Sequence, residues 1–337
     1  MERLAQLALN EGRSLIVDAV YARPDERRAI AQVAAQKNVP FAGIWLDAPS
    51  EVLKARIAAR VNDASDADVA VAGLQAHYDL GNDFFRLFLD DSMTYSAGVF
   101  ANQATTLAQA QFAKYDLICR KLNLKPGQRL LDIGCGWGGL ACHAARHYGA
   151  RVQGVTLSPA QLEYGRAEVA RQGLGDRVTL ELVDYRDIDV EGVYDAVSQV
   201  EMFEHLGFRN HDAHFARVRR LLKPGGLYFH QASVRRGHGP ADRNGAPRPT
   251  ATTRTITRFI FPGGELDTLG MTTAALGRHG FEVLDVQTLR EHFERTLRIW
   301  SERLYENREA AAALAGAPRT RLWLVYFALF ARGFQRG

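Results

Sequence analysis

The sequence has 337 residues, of which 47% are hydrophobic, 24% charged and 9% aromatic, with 30 Gly and 11 Pro. This is the composition of a folded globular protein, so it excludes a disordered chain, a collagen-like repeat and a coiled coil as descriptions of the whole. The formal net charge of +4 is a weak bias toward anionic partners, and no nucleic-acid partner is predicted.

Residues 1–70 predict an incomplete α/β module. Short apolar runs at 14–18 and 41–46 alternate with helical patterns at 24–36 and 49–60, as in a unit of parallel strands. The segment is similar to the C-terminal half of a P-loop kinase domain. The similarity rests on the strand ending in Asp18, on RPDER (23–27) and on IWLDAP (44–49).

This N-terminal module lacks the part of a kinase that binds phosphate. The Gly-rich loop with its lysine, whose backbone amides and ammonium hold the nucleotide, does not occur in the sequence. A working kinase is therefore not expected. The remaining interpretations are a truncated remnant and a packing module that contacts a partner chain or a second copy.

Residues 71–337 predict a second domain, built on a doubly wound, mostly parallel sheet. Five strand patterns, at 129–133, 151–157, 178–183, 194–200 and 227–231, alternate with helical patterns. Such α/β alternation places the ligand site at the carboxyl ends of the strands. The segment 319–332, which contains the nine-residue apolar run 322–330, is expected to form the last strand.

Chemically distinctive residues follow the first three of these strands. They are Asp132, Gly134, Gly136 and Gly138 at the first strand, Thr156 at the second, and Asp184 and Tyr185 at the third. Glycines let a ligand approach the bare backbone, while the last pair is placed to bind an adenine amine and cover its ring. A strand–loop–helix site for an adenine-containing cofactor is predicted.

Neighbouring residues favour adenosylmethionine over a dinucleotide. A dinucleotide loop offers helix N-terminal amides to pyrophosphate, whereas a sulfonium is cationic and prefers carbonyls, hydroxyls and aromatic faces. Cys135, Trp137 and the pair Tyr95-Ser96 fit the sulfonium better. Cys119, Cys135 and Cys142 lack metal-ligand spacing and are typical of a reduced, cytoplasmic protein, so no metal site is predicted.

Five runs in residues 71–337 resemble the cyclopropane-fatty-acyl-phospholipid synthase family, which includes the mycolic acid cyclopropane synthases. The runs are HYDLGNDFF (77–85), MTYS (93–96), LDIGCGWGG (131–139), GVTLS (154–158) and EMFEHLG (201–207). The resemblance implies a class I, Rossmann-like methyltransferase fold and adenosylmethionine as cofactor. It also implies methyl transfer to the cis double bond of an unsaturated phospholipid acyl chain, followed by proton loss to bound bicarbonate and ring closure.

The same resemblance assigns roles to single residues. Those implied for the cofactor are Tyr95 and Ser96 at the methionine end, Gly134, Gly136 and Gly138 in the loop, and Thr156 and Gln161 at the ribose. Glu204 would hold bicarbonate through His230, because a carboxylate beside an imidazole fixes its tautomer and lets it donate to an anion.

Three positions depart from the family pattern. Ala97 stands in place of the usual cysteine and Ala232 in place of a β-branched residue, and at both a backbone contact is expected to serve. Phe293 stands in place of the bicarbonate-binding tyrosine. A lost hydrogen bond to a charged group costs about 1.5–3 kcal/mol, so methyl transfer is expected more firmly than ring closure. A cyclopropane and a methyl-branched product both remain open.

Two other functions stay open, and so do two interpretations of one basic segment. The chain is otherwise a methyltransferase of a soluble small molecule, or a catalytically silent lipid- or partner-binding protein. Residues 235–258 carry six Arg and one acidic residue, and are either a solvated insertion or a lid that meets an anionic membrane surface. The expected location is cytoplasmic, with peripheral contact at the inner membrane face.

Overall fold

The structure is a computed structural model that describes residues 80–235, 260–261 and 264–336, together with three helical positions at 32, 35 and 36. By its internal contacts the chain divides into two compact units, Met1–Asp63 and Ala64–Gly337. The predictions made for residues 1–70, and for most of the basic segment 235–258, lie outside the described residues.

The second unit contains a five-stranded sheet in which all neighbouring strands are parallel. The strands are β1 (Arg129–Ile133), β2 (Arg151–Thr156), β3 (Val178–Leu182), β4 (Tyr194–Val200) and β5 (Leu222–Gln231). Their order is β3-β2-β1-β4-β5, so the direction of winding reverses between β1 and β4. This confirms the predicted doubly wound α/β fold, although β5 begins earlier than expected. Ligands of such sheets bind at the carboxyl ends near the reversal.

Nine α-helices occur among the described residues of this unit. They are α1 (Asn82–Arg86), α2 (Leu107–Lys121), α3 (Gly139–Tyr148), α4 (Pro159–Arg171), α5 (His211–Leu221), α6 (Leu269–Arg278), α7 (Arg290–Glu306), α8 (Arg308–Ala315) and α9 (Ala317–Arg336). Short 3-10 turns, Tyr185–Asp187 and Phe203–His205, follow β3 and β4. The alternating helices cover the sheet, while α7, α8 and α9 come after it in the chain.

Capping residues fix the starts of two helices that line the candidate site. Thr106 and Gln109 form a capping box at the start of α2, in which each side chain accepts the other residue's backbone N–H. Ser158 accepts the backbone N–H of Gln161 at the start of α4, where Pro159 occupies the first helical turn. Because the free N–H groups are satisfied, side chains from these first turns project from well-defined positions.

The C-terminal segment is a helix, which corrects the expectation of a last strand over residues 319–332. Buried positions in α9 fall at Trp323, Tyr326, Phe327 and Ala331, while Val325 is 53% exposed. This spacing follows the helical repeat of 3.6 residues and not the alternation of a strand. A nine-residue apolar run does not by itself separate the two structures. In the described part of the chain, no helix is long and apolar enough to cross a membrane.

An aromatic core joins α1, α7 and α9. Phe84 and Phe85 of α1 and Phe88 just after it are fully buried, and Trp323 of α9 lies 5.3–5.7 Å from all three rings. These phenylalanines therefore belong to the core. Tyr95 packs on the same core with its ring 5.1 Å from that of Trp300 in α7. The core thus holds the segment around Tyr95 against the carboxyl edge of the sheet.

Candidate active site

A cavity of about 590 Å³ opens at the carboxyl ends of β1, β2, β3 and β4. We call it the first cavity. Nine of the ten residues predicted for the cofactor line it: Tyr95, Ser96, Asp132, Gly134, Gly136, Thr156, Gln161, Asp184 and Tyr185. The structure therefore brings residues from four separate sequence segments to one place. The tenth, Gly138, does not line the cavity.

Gly136 and Gly138, in the loop after β1, have different structural roles. Gly136 has a positive φ of 56°, and a Cβ placed on it would meet nothing within 4 Å, so its backbone borders open space in the cavity. Gly138 caps α3 with a φ of 84°, and a Cβ there would lie 3.0 Å from Leu180. Gly138 thus allows the turn and the packing on β3, and its predicted contact with the ligand stays a prediction.

The ends of β2 and β3 carry polar groups that are already organised. The buried hydroxyl of Thr156 donates to Oε1 of Gln161 over 2.7 Å. Asp184 accepts from the backbone and the guanidinium of Arg186, with its Oδ2 2.6 Å from Nη2. The hydroxyl of Tyr185 lies 2.8 Å from Nδ1 of His214, so this ring is anchored to α5. These bonds hold the side chains in place before any ligand arrives.

A buried lysine forms the charged wall of the first cavity. Lys114 of α2 is 1% exposed, and its Nζ donates to Oγ of Ser96 over 2.5 Å. Burial lowers the pKa of Lys114 to about 8, while nearby Glu201, Asp90 and Asp132 oppose that shift. Burial also raises the pKa of Asp132 to about 6, moderated by a hydrogen bond from Ser198 and by Lys114. One cation among three acidic groups makes this wall attractive to a cationic ligand.

Glu201 lies between the first cavity and a second one. It follows β4 with a φ of 51°, which is unusual for a residue with a side chain, and its backbone N–H donates to Gln231. Its Oε1 accepts from the amide of Ala97 at 3.0 Å and from Nε2 of Gln231 at 2.8 Å. Burial raises the pKa of this carboxyl. Glu201 lines both cavities, so the two spaces share one wall.

The second cavity has a volume of about 1980 Å³ and lies along β5, the segment 281–289 and the end of α9. Its lining includes Ala97, His230 and Phe293. Phe293 is buried, with its ring 4.8 Å from that of Phe334. Two of the three predicted catalytic residues, His230 and Phe293, therefore line this cavity. Ala97, which departs from the family pattern, lines it as well.

Glu204 is placed differently from the prediction. It lines neither cavity, and its Oε1 accepts the backbone N–H of Ser233 at 2.5 Å. Burial raises its pKa to about 7. Nδ1 of His230 bonds to the hydroxyl of Tyr228 at 3.1 Å, so Tyr228 and not Glu204 orients this imidazole. Glu204 Oε2 and His230 Nε2 are both buried without a hydrogen-bond partner in the described residues.

The residues present do not fit the bicarbonate implied by the resemblance. The amide of Ala97, expected to hold the anion, donates to Glu201 instead. Phe293 supplies no hydroxyl, and its surroundings are aromatic. A buried carboxylate at Glu201 would also repel an anion placed beside it. The Ala97 amide thus has a partner within the chain in place of the anion expected there.

Sequence reasoning missed Lys114, Glu201 and the partners of His230. A signal existed for Lys114, because it falls in the buried stripe of α2 with Leu107, Ala110 and Ile118. A lysine at such a position needs an explanation. Strand alternation could have placed Tyr228 and His230 on one face, but no local pattern indicates Gln199 of β4 and His214 of α5, which contact the Tyr228 hydroxyl.

The sheet order and the glycine loop define the class of protein. A parallel sheet with its cavity at the carboxyl ends and a glycine loop after the central strand is the architecture of class I methyltransferases. The crystal structure of mycolic acid cyclopropane synthase CmaA1 complexed with SAH and CTAB superimposes with a TM-score of 0.70 and 35% identity. The alignment covers 79% of this chain and 94% of that one.

The particular family follows from the sequence match. Residues 65–337 match the family described as mycolic acid cyclopropane synthetase, and the chain belongs to that family. This confirms the resemblance stated from the five runs. Residues 1–78 match the family described as AAA domain, in agreement with the P-loop resemblance of the N-terminal module.

Two curated relatives give a finer comparison. A probable fatty acid methyltransferase of Pseudomonas putida is 43% identical over 263 residues, which cover 77% of this chain and 65% of that protein. The tuberculostearic acid methyltransferase UfaA1 of Mycobacterium tuberculosis is 39% identical over 279 residues, which cover 80% of this chain and 63% of that protein. The chain thus spans less than two thirds of the length of either relative.

Proposed function

We propose that this chain transfers the methyl group of adenosylmethionine to the cis double bond of an unsaturated phospholipid acyl chain. The observation that carries the proposal is the wall shared by the two cavities. The first is the smaller and contains the buried Lys114, Asp132 and Ser96, the second is more than three times larger, and Glu201 borders both. A methyl donor in one and an alkene in the other would meet at that wall.

The first cavity fits adenosylmethionine by the chemistry of its donors. When bound, this cofactor supplies an electrophilic methyl group on a sulfonium. Asp132 and Glu201 favour its cationic end, while Lys114 and Ser96 are suited to its carboxylate. Thr156, Gln161, Asp184 and Tyr185 offer hydroxyl, amide and carboxyl groups where the ribose and adenine would lie. Gly136 leaves room for close approach to the backbone.

The second cavity fits an acyl chain by its volume and lining. Its volume exceeds the roughly 300–1,000 Å³ of ordinary small-molecule sites. The apolar residues Leu266, Leu269, Phe281 and Phe330 line it together with Phe293. The apolar part of this lining suits a hydrocarbon chain. Positioning the alkene against the methyl donor would supply most of the catalysis. We place the unsaturated chain here.

The proposed product is a methylene-branched chain more than a cyclopropane: the cation left by methyl transfer would lose a proton to a side chain of the shared wall, and no hydride donor is invoked. Ring closure in the family requires removal of a proton by a bound anion, and the donors for that anion are not assembled here. The relatives described as fatty acid methyltransferases support this choice. The roles proposed for Glu204, His230 and Phe293 change accordingly: His230 and Phe293 border the substrate, and Glu204 supports the backbone at Ser233.

The proposal is tested with the full chain, labelled adenosylmethionine and vesicles of unsaturated anionic phospholipid. Transfer of label into lipid, with a product one CH2 heavier than the substrate, is the expected result. Fragmentation of that product distinguishes a branched chain from a ring. Saturated vesicles are the matched control, because they offer the same headgroups without a double bond. Labelled lipid from saturated vesicles, or none from unsaturated ones, would contradict the proposal.

The lipid-labelling assay, together with calorimetry of cofactor binding, distinguishes the two alternative functions. A methyltransferase of a soluble small molecule would bind adenosylmethionine in calorimetry and leave both lipids unlabelled. A silent binding protein would show no heat of cofactor binding in folded protein. Contact with an anionic membrane surface at the inner face, and a partner contact through residues 1–70, stay predictions. So does the domain boundary near residue 70.

A further inference from the structure

Glu201 is the only residue in the described part of the chain that lines both cavities. It follows β4 directly, at the carboxyl edge of the sheet, and its φ of 51° is uncommon for a residue with a side chain. Such a backbone persists only where the surrounding structure holds it. Here the Glu201 N–H donates to the carbonyl oxygen of Gln231 over 2.8 Å, which ties the turn to β5. The carboxyl group is therefore held in the wall between the cavities.

The two oxygens of the Glu201 carboxyl group have different surroundings. Oε1 accepts the backbone N–H of Ala97 at 3.0 Å. Because a backbone N–H can only donate, this bond alone commits Oε1 as an acceptor. Oε2 has no hydrogen-bond partner among the described residues. One oxygen thus orients the carboxyl group, and the other stays available to accept a proton.

Other titratable side chains near the shared wall are placed less well to remove a proton from a group that crosses it. Asp132 lines only the first cavity, and Glu204 lines neither. His230 lines only the second, and burial lowers its pKa to about 4, which makes it a weak base. Burial raises the pKa of the Glu201 carboxyl, so its ionised form is a stronger base than an ordinary carboxylate. The acidic residues that line the second cavity alone are Glu265, Glu282 and Asp285.

We propose that Glu201 is a catalytic residue, and that Oε2 of its carboxylate takes the proton that the methylated chain must lose. This inference rests on the proposed function. Methyl transfer forms the new C–C bond with the π electron pair of the alkene, while the pair of the broken C–S bond stays on sulfur. A hydrogen then shifts with its pair within the chain, which leaves the cation on the carbon that carries the methyl group. Oε2 takes one proton from that methyl group, and the C–H pair becomes the second bond of a C=CH2 group.

The origin of this proton explains why the base lies in the wall. The proton belongs to the methyl group, which passes from the first cavity to the second. A carboxylate that borders both spaces meets this group where it arrives, and its charge also favours the cation that forms there. A bound anion is then not needed, in agreement with the Ala97 amide that donates to Glu201.

The proposal is tested by chemical rescue of Glu201→Gly in the lipid methylation assay. Glycine adopts a positive φ readily, so this variant should keep the turn and leave space where the carboxylate was. Labelled lipid should fall by about a hundredfold or more, the usual contribution of a positioned base. Added formate, a small carboxylate, should then raise turnover by about tenfold or more, since it supplies a base in the same place. Formamide, of similar size but without charge, should not.

A second variant and a matched control separate the chemistry from folding. Glu201→Gln keeps the shape of the side chain, so it should lose turnover as well and not respond to formate. In calorimetry, both variants should bind S-adenosylhomocysteine, which has no sulfonium, within about threefold of the wild type. The control is Asp195→Gly on β4, where the carboxyl group also accepts a backbone N–H, from Arg129 at 2.8 Å, but lines neither cavity. Formate should not change its turnover.

The outcomes distinguish this assignment from the proposed function. Glu201→Gln that labels lipid as the wild type does would overturn the role of Glu201 and leave the function standing. So would Glu201→Gly that binds S-adenosylhomocysteine but gains nothing from formate, or gains equally from formamide. A wild-type chain that labels no unsaturated lipid would overturn the proposed function, and the role of Glu201 with it.

Discussion

The two cavities differ in volume and in how far apart in the sequence their lining residues lie. The first is bordered by consecutive strand ends of one sheet, where polar side chains such as Thr156 and Tyr185 are already hydrogen-bonded to neighbours. The second combines β5 with α7 and the end of α9, and is mainly apolar. A cofactor with fixed polar groups suits the first, whereas a flexible chain with no polar groups suits the second. The comparison separates what binds the methyl donor from what chooses the acceptor.

The residues around the second cavity have also changed their hydrogen-bonding roles. Ala97 donates to Glu201, His230 is held by Tyr228, and Phe293 packs against Phe334. Around the first cavity the expected polar groups remain in place. The polar groups of the proposed methyl-donor site are thus in place, while those proposed for deprotonation have other partners. The predictions below test this difference, from the largest expected effect to the smallest.

The largest effect is expected at Gly136, whose backbone borders the first cavity. Asn tolerates a positive φ better than other residues, so Gly136→Asn should fold but fill space that the cofactor needs. Overpacking of a close-fitting site costs about 1–3 kcal/mol, or about ten- to a hundredfold in affinity for adenosylmethionine by calorimetry. Labelled lipid should fall in parallel.

Gly173→Asn is the matched control for this substitution. Gly173 also has a positive φ, of 66°, and a Cβ there would meet nothing within 4 Å, but it lies outside both cavities. The control should bind the cofactor as the wild type does. Equal affinity in the two variants would show that the cofactor does not approach Gly136, and would break the assignment of the first cavity.

The glycine loop also shows which parts of the structure sequence alone could predict. Strands β1 to β5 have apolar runs separated by helical patterns, and the residues that follow them fall at one sheet edge by topology alone. That argument located Asp132, Thr156 and Asp184 correctly. It could not locate Lys114, which reaches the cavity only because α2 packs there.

The same argument could not predict the second cavity, because the residues that line it are distant in the sequence. The helix α9 was predicted as a strand, since nine apolar residues suit a buried strand as well as a helix. The aromatic spacing of Trp323 and Phe327 was the discriminating signal. His230 bonds to Tyr228, two residues earlier on the same face of β5, whereas Tyr228 bonds to Gln199 of β4, which only the register of the two strands brings near.

An intermediate effect is expected from the titration of Asp132. Its pKa, raised by burial to about 6, means that the carboxyl is mostly neutral at pH 5 and mostly charged at pH 7.5. Lys114, with a pKa of about 8, stays largely charged over this range. Affinity for adenosylmethionine, which carries one net positive charge, should therefore rise by up to about tenfold between these pH values.

The matched comparison uses a ligand and a variant. S-adenosylhomocysteine has no sulfonium and no net charge, so its affinity should depend on pH much less. Asp132→Asn should abolish most of the rise seen with adenosylmethionine. The sign is fixed by the charge: a fall in affinity as pH increases, or an equal rise for both ligands, would mean that Asp132 does not face the cationic end.

The smallest effect is expected at Phe293, where the resemblance would predict a large one. Phe293→Tyr restores one hydroxyl in the second cavity, but the Ala97 amide stays bonded to Glu201 and the His230 ring stays bonded to Tyr228. One restored donor out of three does not assemble an anion site. Turnover and the proportion of cyclopropane product should change by less than about threefold, which corresponds to well under 1.4 kcal/mol.

Adding or omitting bicarbonate tests this last prediction further. The assay is run in bicarbonate-free buffer and again with added bicarbonate, for the wild type and for Phe293→Tyr, with fragmentation of the lipid product. No stimulation is expected in either. Cyclopropane that appears only in Phe293→Tyr with bicarbonate would mean that a single hydroxyl decides the fate of the proton. In that case the altered hydrogen bonds of Ala97 and His230 would be consequences of packing and not the cause of a different product.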